Sequence, residues 1–267
     1  MKDSPRSGIS IIIPAKDSRV TIGRLLAALK SAGTPLEIII VNAQSEDGTE
    51  QIAKQFNAKF VRSTKGRSGA KNVGAAIANN PNLLFLDSDM AVSGKILNEC
   101  LNLLNTYDAI IFPEDTVGEN FLAKIRKFVR DGYLHTLYLE APRCFSKRVF
   151  TSLLGYDEEM EGFEDLELTG RIINNGFKVG WGTEKILHDE SNVSIIDFIK
   201  KRKFYMSFRT NFKNKNGEYY DHVFSLSTRA KAIYNSIRLQ GMVKSMIFLP
   251  ATFILFSLDL ITPIFRW

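Results

Sequence analysis

The chain has 267 residues, of which 45% are hydrophobic and 24% charged, so it can bury a sizeable globular core. Its two cysteines, Cys100 and Cys144, exclude a disulfide framework and a cysteine metal cluster, which favours a reducing, cytosolic environment. Only five mostly apolar residues separate the first eight residues from Pro14, a stretch too short for a secretory signal peptide.

The formal net charge of +6 is unevenly distributed along the chain. Residues 200–244 contain eleven Lys or Arg and only two acids, Glu218 and Asp221, so this segment carries +9 and the rest about −3. An excess this local indicates an anionic partner surface. Aromatic residues lie among these cations, a pattern that also suits base stacking. No other sequence feature indicates nucleic acid, and we expect none as a partner.

The first half of the chain alternates strand and helix patterns. Short apolar runs predict strands at residues 9–13, 37–41, 59–62 and 83–86. Helices are predicted between them at residues 20–31, 49–56 and 69–79. After residue 107 the pattern is mixed, with strands at 109–112 and 142–146 and helices at 119–133 and 166–175, the last capped by Gly176.

Apolar strands separated by helices are typical of a parallel sheet that is covered on both faces. Ligands of such sheets bind beyond the carboxyl ends of the strands. Polar clusters follow the first, second and fourth predicted strands, at residues 14–17, 42–45 and 87–89. We therefore expect these three clusters, and the ligand, at one edge of the sheet.

The fourth strand ends in Asp87, Ser88 and Asp89. Buried carboxylates without a partner are costly, so this pair should lie at the exit of the strand, in water or on a cation. Because side chains alternate along a strand, Asp87 and Asp89 are predicted to project to one side, spaced to hold Mg²⁺ or Mn²⁺. The same tripeptide also suits a simple turn, which is the alternative.

A dinucleotide-binding oxidoreductase is not indicated. Its glycine fingerprint should follow the first strand, where residues 14–19 instead read Pro-Ala-Lys-Asp-Ser-Arg. Gly66 and Gly69 resemble a phosphate cradle that opens a helix, although the Lys-Ser/Thr of a P-loop does not follow them. A plain helix start is the alternative.

Six segments together resemble the large, inverting, nucleotide-sugar-dependent glycosyltransferases of family two, which have the GT-A fold. They run in order over roughly two-thirds of the chain, at residues 10–17, 38–49, 69–74, 85–89, 145–158 and 164–179. The resemblance implies an α/β fold with a Rossmann-like, mostly parallel sheet flanked by helices. This catalytic domain would span residues 1–199, and residues 200–267 would form a helical, membrane-associating appendage.

The resemblance also implies metal-dependent transfer of one sugar, with inversion, from a UDP- or GDP-linked donor. The residues that it implies for donor binding are Pro14, Ala15, Asp17, Asn42, Gln44, Arg67, Lys71, Asp87 and Ser88. Those that it implies for Mg²⁺ or Mn²⁺ are Asp87, Asp89 and His188.

Glu164 and Asp165 form the implied catalytic pair, placed at a helix N-terminus that faces the acceptor. Asp165 would be the general base, kept ionised by the helix dipole. The alternative for this pair is a charged first helical turn. For Arg67 and Lys71 the alternative is a solvated helix face, and for His188 it is a structural role.

The chain departs from the family pattern after the second strand, where Asn42 and Ala43 replace the two usual aspartates. A carboxylate there is expected to accept an N–H from the nucleobase, and the amide oxygen of Asn42 can still do so. This departure leaves the preferred base open. It also motivates one alternative, a non-catalytic nucleotide-sugar-binding homologue. The other is a polyprenyl-phosphate sugar synthase, whose ionised acceptor needs no base.

The C-terminal part contains an uncharged, mostly apolar run at residues 245–258, and the chain ends in Arg266 and Trp267. A spanning helix needs about 20 apolar residues, so this run is short, and Pro250 and Pro263 are expected to interrupt it. Beside the +9 segment it predicts docking at the anionic cytoplasmic face of a membrane, near a lipid-linked or membrane-proximal acceptor. A buried core helix is the alternative.

Overall fold

The computed structural model describes residues 8–31, 36–191 and 193–261. The chain packs as two compact units. The first combines the residues up to Pro113 with Ala141–Leu187, and the second combines Glu114–Glu140 with the residues from His188 onward. The units therefore do not follow the boundary predicted at residue 199, because residues 114–140 pack with the C-terminal helices. The functional boundary stays a prediction.

The secondary structure follows the predicted alternation of strands and helices. Its first half contains β1 (Ile9–Ala15), α1 (Arg19–Lys30), β2 (Leu36–Asn42), α2 (Thr49–Gln55), β3 (Lys59–Arg62), α3 (Arg67–Ile77), β4 (Asn82–Phe85), β5 (Met90–Ala91), α4 (Lys95–Leu103) and β6 (Ala109–Ile111). There follow β7 (Glu114–Val117), α5 (Phe121–Tyr133), β8 (Cys144–Ser146), α6 (Lys147–Ser152), α7 (Glu164–Asn174), β9 (Val179–Trp181) and β10 (Ile186–Asp189). The C-terminal helices are α8 (Ile195–Ser207), α9 (Arg209–Lys215), α10 (Gly217–Phe224), α11 (Leu226–Gln240) and α12 (Met242–Ile261).

A seven-stranded sheet forms the centre of the first unit, with strand order β3-β2-β1-β4-β8-β6-β9. Strands β1 to β4 are parallel, and Ile11 on β1 pairs with Ile38 on β2 and Leu84 on β4. Strand β8 is antiparallel to both of its neighbours. The mostly parallel sheet predicted from the sequence is therefore confirmed.

Both faces of the sheet are buried because its strands are apolar at successive positions. On β1, Ile11 and Ile13 belong to one buried cluster, and Ile12 belongs to the cluster on the opposite face. Helix α1 contributes Leu25 to the first cluster, and α3 contributes Ala70 to the second. Helices therefore cover both faces, which leaves the carboxyl edge of the sheet as the place where polar loops collect.

The second unit is built around helix α5, which packs against α11 and α12. Helices α5 and α11 approach closely at Gly132, where an added Cβ would lie 2.3 Å from the carbonyl oxygen of Ala232. The aromatic ring of Phe248 on α12 lies 5.9 Å from that of Phe128 and 6.0 Å from that of Phe121, both on α5. These contacts fix α12 to the unit through one side.

Helix α12 runs without interruption from Met242 to Ile261, so the expectation that Pro250 breaks it was wrong. A proline in a helix removes one backbone donor, and here the packing of Phe248 on α5 holds the turn that precedes it. Among the described residues, no helix has the length and apolar character needed to cross a membrane. The predictions for residues 1–7, Pro263, Arg266 and Trp267 lie outside the described residues.

Candidate functional site

The three polar clusters that follow β1, β2 and β4 meet at one edge of the sheet, as predicted. The hydroxyl of Ser18, after β1, lies 2.8 Å from that of Ser88, after β4. The backbone N–H of Asp17 donates to the hydroxyl of Ser45, after β2, at 2.7 Å. Because strands β1, β2 and β4 are parallel neighbours, their loops emerge side by side. Pro14 and Ala15 are the last residues of β1.

Asp87 lies between two arginines at this edge. The Nη2 atom of Arg67 is 2.8 Å from both carboxylate oxygens of Asp87. Nη2 of Arg143 is 3.6 Å from Oδ2 of the same carboxylate. Arg67 is the first residue of α3, so the helix start places its guanidinium next to the end of β4. The charge of Asp87 is thus balanced by the protein itself.

The acidic motif forms a turn and not a continuation of the strand. Strand β4 ends at Phe85, and the N–H of Met90 donates to the carbonyl oxygen of Asp87 at 3.1 Å. The argument that strand alternation projects Asp87 and Asp89 to one side was therefore wrong, because the pleat has already ended. Asp87 is partly buried, whereas Asp89 is exposed.

No three His, Cys, Asp or Glu side chains in the described part of the chain come together as a set of metal ligands. His188 belongs to the second unit, where its Nε2 lies 3.0 Å from Oε2 of Glu114, without hydrogen-bond alignment. The predicted metal ligands therefore stay a prediction. Among the three predicted ligands, Asp89 has the exposed carboxylate, and Mg²⁺ commonly binds through one or two carboxylates together with substrate phosphates.

Lys71 is fully buried on α3 between the two acids that begin α7. Its Nζ lies 2.8 Å from Oδ1 of Asp165 and 3.1 Å from Oε1 of Glu164. The same nitrogen lies 4.5 Å from the ring centroid of Tyr156. Burial alone would lower the pKa of Lys71, but the charges of Asp165 and Glu164 raise it above its ordinary value. The alternative of a solvated helix face is therefore wrong for Lys71, and its ammonium is a buried counter-charge.

The pKa values of the two acids that begin α7 are shifted in opposite directions. Burial would raise the pKa of Asp165, but the charges of Lys71, then Arg143 and Arg67, lower it below its ordinary value. For Glu164 burial dominates, so the pKa is raised although Lys71 is close. A pair of carboxyls with separated pKa values is the arrangement that assigns one group as base. Asp165 is therefore the member with the lower pKa, and the charge of Lys71 is the largest of the effects that lower it.

The N-terminus of α3 is closed by a carboxylate from the loop before α7. The backbone N–H of Arg67 donates to Oε2 of Glu161 at 2.7 Å, and the Ser68 hydroxyl donates to the Met160 carbonyl at 2.5 Å. A Cβ on Gly66 would lie only 2.0 Å from Oε1 of Glu161, so any larger residue at this position would displace the carboxylate. The anion at this helix start is thus Glu161, a site residue that the sequence alone did not indicate.

Asn42, at the end of β2, is buried and holds the neighbouring loops together. In the amide orientation that pairs all of its polar atoms, its nitrogen donates to the Ala15 carbonyl at 3.3 Å and to the Ser45 hydroxyl at 2.5 Å. Its oxygen accepts from the Ser45 N–H at 3.0 Å. These bonds use both amide hydrogens, so Asn42 has a structural role that an aspartate could not fill in the same way.

A cleft of about 1000 Å³ opens beside the ends of β2 and β3. The residues that line it include Asn42, Gln44, Ser45, Arg62 and Ser63. Gln44 has a positive φ of 59°, and Asp17 and Phe163 also adopt positive φ values, of 47° and 66°. Non-glycine residues rarely adopt this conformation, and such strain is concentrated at functional sites. Asp17 and Gln44 follow β1 and β2, and Phe163 directly precedes the acids of α7.

Comparison with known proteins agrees with this geometry. Residues 10–139 match the family described as Glycosyl transferase family 2. The probable glycosyltransferase YdaM of Bacillus subtilis is 33% identical over 215 residues, which cover 67% of this chain and 49% of YdaM. The 4,4'-diaponeurosporenoate glycosyltransferase of Staphylococcus haemolyticus is 30% identical over 95 residues, 33% of this chain and 25% of that protein. The chain thus spans half the length of these relatives or less.

Two solved structures share the fold. TarS 1–349 of S. aureus, in complex with UDP-GlcNAc, has a TM-score of 0.59 at 18% identity and covers 85% of this chain and 79% of its own. The mannosyltransferase PcManGT of Pyrobaculum calidifontis, in complex with GDP-Man and Mn²⁺, has a TM-score of 0.63 at 14% identity and covers 98% and 86%. Identities this low establish the fold alone, and they confirm the GT-A type. The sequence matches show that residues 10–139 of this chain resemble glycosyl transferase family 2.

Proposed function

We propose that this chain transfers one sugar, with inversion, from a nucleoside diphosphate donor to a hydroxyl group of a lipid-linked or membrane-proximal acceptor. The observation that carries the proposal is the contact of the Asp165 carboxylate with the Lys71 ammonium, at 2.8 Å, at the edge of the sheet where Asp87 and Arg67 also lie. A transferase needs a base and a cationic leaving-group site close together, and this edge offers both.

The donor side would use the cleft beside β2 and β3 for the nucleoside and Arg67 for the diphosphate. Arg67 is partly exposed, so its guanidinium can exchange its contact with Asp87 for a phosphate. An exposed carboxylate such as Asp89, completed by phosphate oxygens, is an oxygen donor set that fits Mg²⁺ or Mn²⁺. When bound there, the cation would neutralise the diphosphate leaving group. TarS binds UDP-GlcNAc and PcManGT binds GDP-Man, so both uracil and guanine stay candidates for the base of the donor.

The acceptor side would use Asp165 as the general base. The acceptor oxygen attacks the anomeric carbon and its proton passes to the Asp165 carboxylate, while the bond from that carbon to the diphosphate oxygen breaks. The diphosphate leaves with the bonding electrons. Lys71 keeps Asp165 ionised before attack and holds its carboxylate in one position. A lowered pKa makes Asp165 a weak base, so it acts late, when the acceptor proton has become acidic.

A lipid-linked acceptor is supported by two observations. The chain carries its +9 segment at residues 200–244, beside the apolar helix α12. A relative in Staphylococcus haemolyticus is named for a 4,4'-diaponeurosporenoate acceptor. An anionic membrane at the cytoplasmic face is the location that we propose for the reaction.

A donor screen by thermal shift tests this proposal. Wild-type protein is heated with UDP-Glc, UDP-GlcNAc or GDP-Man, each with Mn²⁺ and with EDTA, because a ligand at 100 times its Kd stabilises by about 2.7 kcal/mol. We expect one donor to raise the Tm with Mn²⁺ only, and Asp89→Ala to abolish that rise. The same donor is then incubated with a membrane lipid extract, and sugar transfer is measured. No shift with any donor, or donor binding without transfer to any acceptor pool, would contradict a transferase.

A further inference from the structure

In the part of α12 whose side chains the structure describes, residues 242–253, two hydroxyl side chains are buried and five large apolar side chains are exposed. Ser245 and Thr252 are 3% and 1% exposed. Five large apolar residues of the same helix are instead between 56% and 76% exposed: Met242, Val243, Met246, Ile247 and Phe253. A helix on the surface of a globular protein normally shows the reverse pattern.

The buried hydroxyls need no polar partner on another helix. Ser245 donates to the carbonyl oxygen of Gly241 at 2.7 Å, and Thr252 donates to that of Phe248 at 2.9 Å. Both hydroxyls therefore bond to backbone carbonyls of α12 or of Gly241, the residue directly before it. The buried side therefore packs closely on α5, together with the Phe248 ring. Nothing in this attachment explains why the opposite side is apolar.

The exposed residues form one continuous face. At 100° per residue they fall within about 140° of the helix circumference, which is the width of the apolar face of an amphipathic helix. This face, the α12 outer face, consists of Met242, Val243, Met246, Ile247 and Phe253. Contiguous exposed apolar surface marks an interaction site.

The charges next to the α12 outer face indicate which partner covers it. Arg238 and Lys244, at the junction of α11 and α12, are exposed. They are the last two cations of residues 200–244, the segment with a net charge of +9. An apolar helical face bordered by cations is complementary to a bilayer with anionic headgroups, where the face enters the acyl boundary and the cations meet phosphates.

We propose that α12 lies in the interface of an anionic bilayer, with its outer face inserted and its axis parallel to the membrane plane. The proposal rests on the exposure pattern of α12 and on the neighbouring charges, so it does not depend on the glycosyl transfer. If the docking of α12 and the proposed sugar transfer are both correct, the bilayer is the surface on which a lipid-linked acceptor would meet the enzyme.

Vesicle sedimentation tests the proposal with the full chain. Vesicles of phosphatidylcholine, with or without about one-third phosphatidylglycerol, are mixed with protein in 0.1 M or 1 M NaCl. We expect binding to the anionic vesicles in 0.1 M NaCl, weaker binding in 1 M NaCl, and little binding to pure phosphatidylcholine, since salt screens the surface charges. Equal binding to both vesicle types, or none to either, would overturn the proposal.

Two sets of variants separate the apolar from the charged contribution. Replacing Met246, Ile247 and Phe253 together by Gln should weaken binding to anionic vesicles at least about tenfold, because the apolar area that enters the acyl boundary is lost. Replacing Arg238 and Lys244 by Gln should weaken it by about 25-fold, about fivefold for each charge. Leu154→Gln is the matched control, since Leu154 is 89% exposed but lies in the first unit.

The competing occupant is a second copy of the chain, and sedimentation equilibrium distinguishes it. Because the exchanged side chains are exposed, we expect all variants to keep the wild-type Tm and the wild-type mass in solution. A wild-type dimer that the Gln triple variant converts to a monomer, with unchanged vesicle binding, would overturn membrane docking. Loss of vesicle binding in Leu154→Gln would likewise count against it.

Discussion

Lys71 offers the sharpest test of how the site is built, because its buried ammonium is the closest positive charge to two carboxylates. Lys71→Met keeps the length and apolar stem of the side chain and removes only the charge. The carboxylates of Asp165 and Glu164, at 2.8 and 3.1 Å, then lose their closest counter-charge. Breaking a buried ion pair from one side costs about 3–5 kcal/mol. At about 2–4 °C for each kcal/mol, the Tm should fall by about 6–20 °C at pH 8.

The pH dependence of this loss gives the reasoning a second check. In the wild type the pKa of Asp165 is lowered, so its stabilisation is complete above its unfolded-state value and is lost only as the pH falls through the lower folded value. Without Lys71, burial dominates and raises the pKa of the acid pair, so ionised carboxylates destabilise the variant as the pH rises. The Tm difference between wild type and Lys71→Met should therefore be largest at pH 8 and shrink towards pH 5.

The assay is thermal unfolding followed by circular dichroism at pH 5, 6.5 and 8, with Lys54→Met as the control. Lys54 also forms an ion pair, with Glu50 at 2.9 Å, but the pair is exposed and its removal should change the Tm little. If Lys71→Met were as stable as Lys54→Met at pH 8, this would refute the claim that Lys71 stabilises the fold as a buried counter-charge to Asp165 and Glu164. So would a Tm difference that grows as the pH falls.

Three further predictions follow from the site and the second unit. Asp89→Ala should abolish Mn²⁺-dependent donor binding in calorimetry, whereas Asp87→Ala should only weaken it, and unchanged metal dependence in both would contradict the assignment. Asn42→Asp should lower the free energy of unfolding in urea by about 1–3 kcal/mol, because a carboxylate cannot donate the two hydrogen bonds that the amide donates. A changed preference for the nucleobase of the donor, with unchanged stability, would contradict the structural role of Asn42. Burial and the charge of Glu114 raise the pKa of Glu140 to about 8, so ionisation destabilises the fold as the pH rises from about 4.5 to 8. Glu140→Gln should therefore lose less Tm than the wild type between pH 5 and pH 8, and identical pH profiles would rule this out.

The edge of the sheet could be predicted from the sequence because it follows from topology. Apolar strands that alternate with helices fix a parallel sheet, and polar residues after each strand must then meet at one edge. The contact between Ser18 and Ser88 and that between Asp17 and Ser45 are direct consequences. The bounds of α5 and α7 were also close to those predicted, since their apolar periodicity is strong.

Contacts made by loops could not be predicted in the same way. Lys71 lies on a helix of small residues, where a lysine normally reaches solvent, and the side chains that cover it come from α7 and from Tyr156, both far away in sequence. The contact of Glu161 with the N-terminus of α3 depends on the path of the preceding loop, which no sequence period encodes. The apolar run at residues 245–258 was visible in the sequence, but the side of α12 that packs was not, because hydroxyl side chains such as those of Ser245 and Thr252 are mostly exposed in folded proteins.

The central claim is that Asp165 is the base of a sugar transfer from a nucleoside diphosphate donor. The most direct test is the initial rate of transfer by Asp165→Asn, with the donor and acceptor found for the wild type, alongside donor affinity by calorimetry. We expect donor affinity to stay unchanged and turnover to fall at least ~100-fold, the scale of general-base catalysis. A near-normal rate at unchanged donor affinity would contradict the assignment and would point to an acceptor that arrives already ionised.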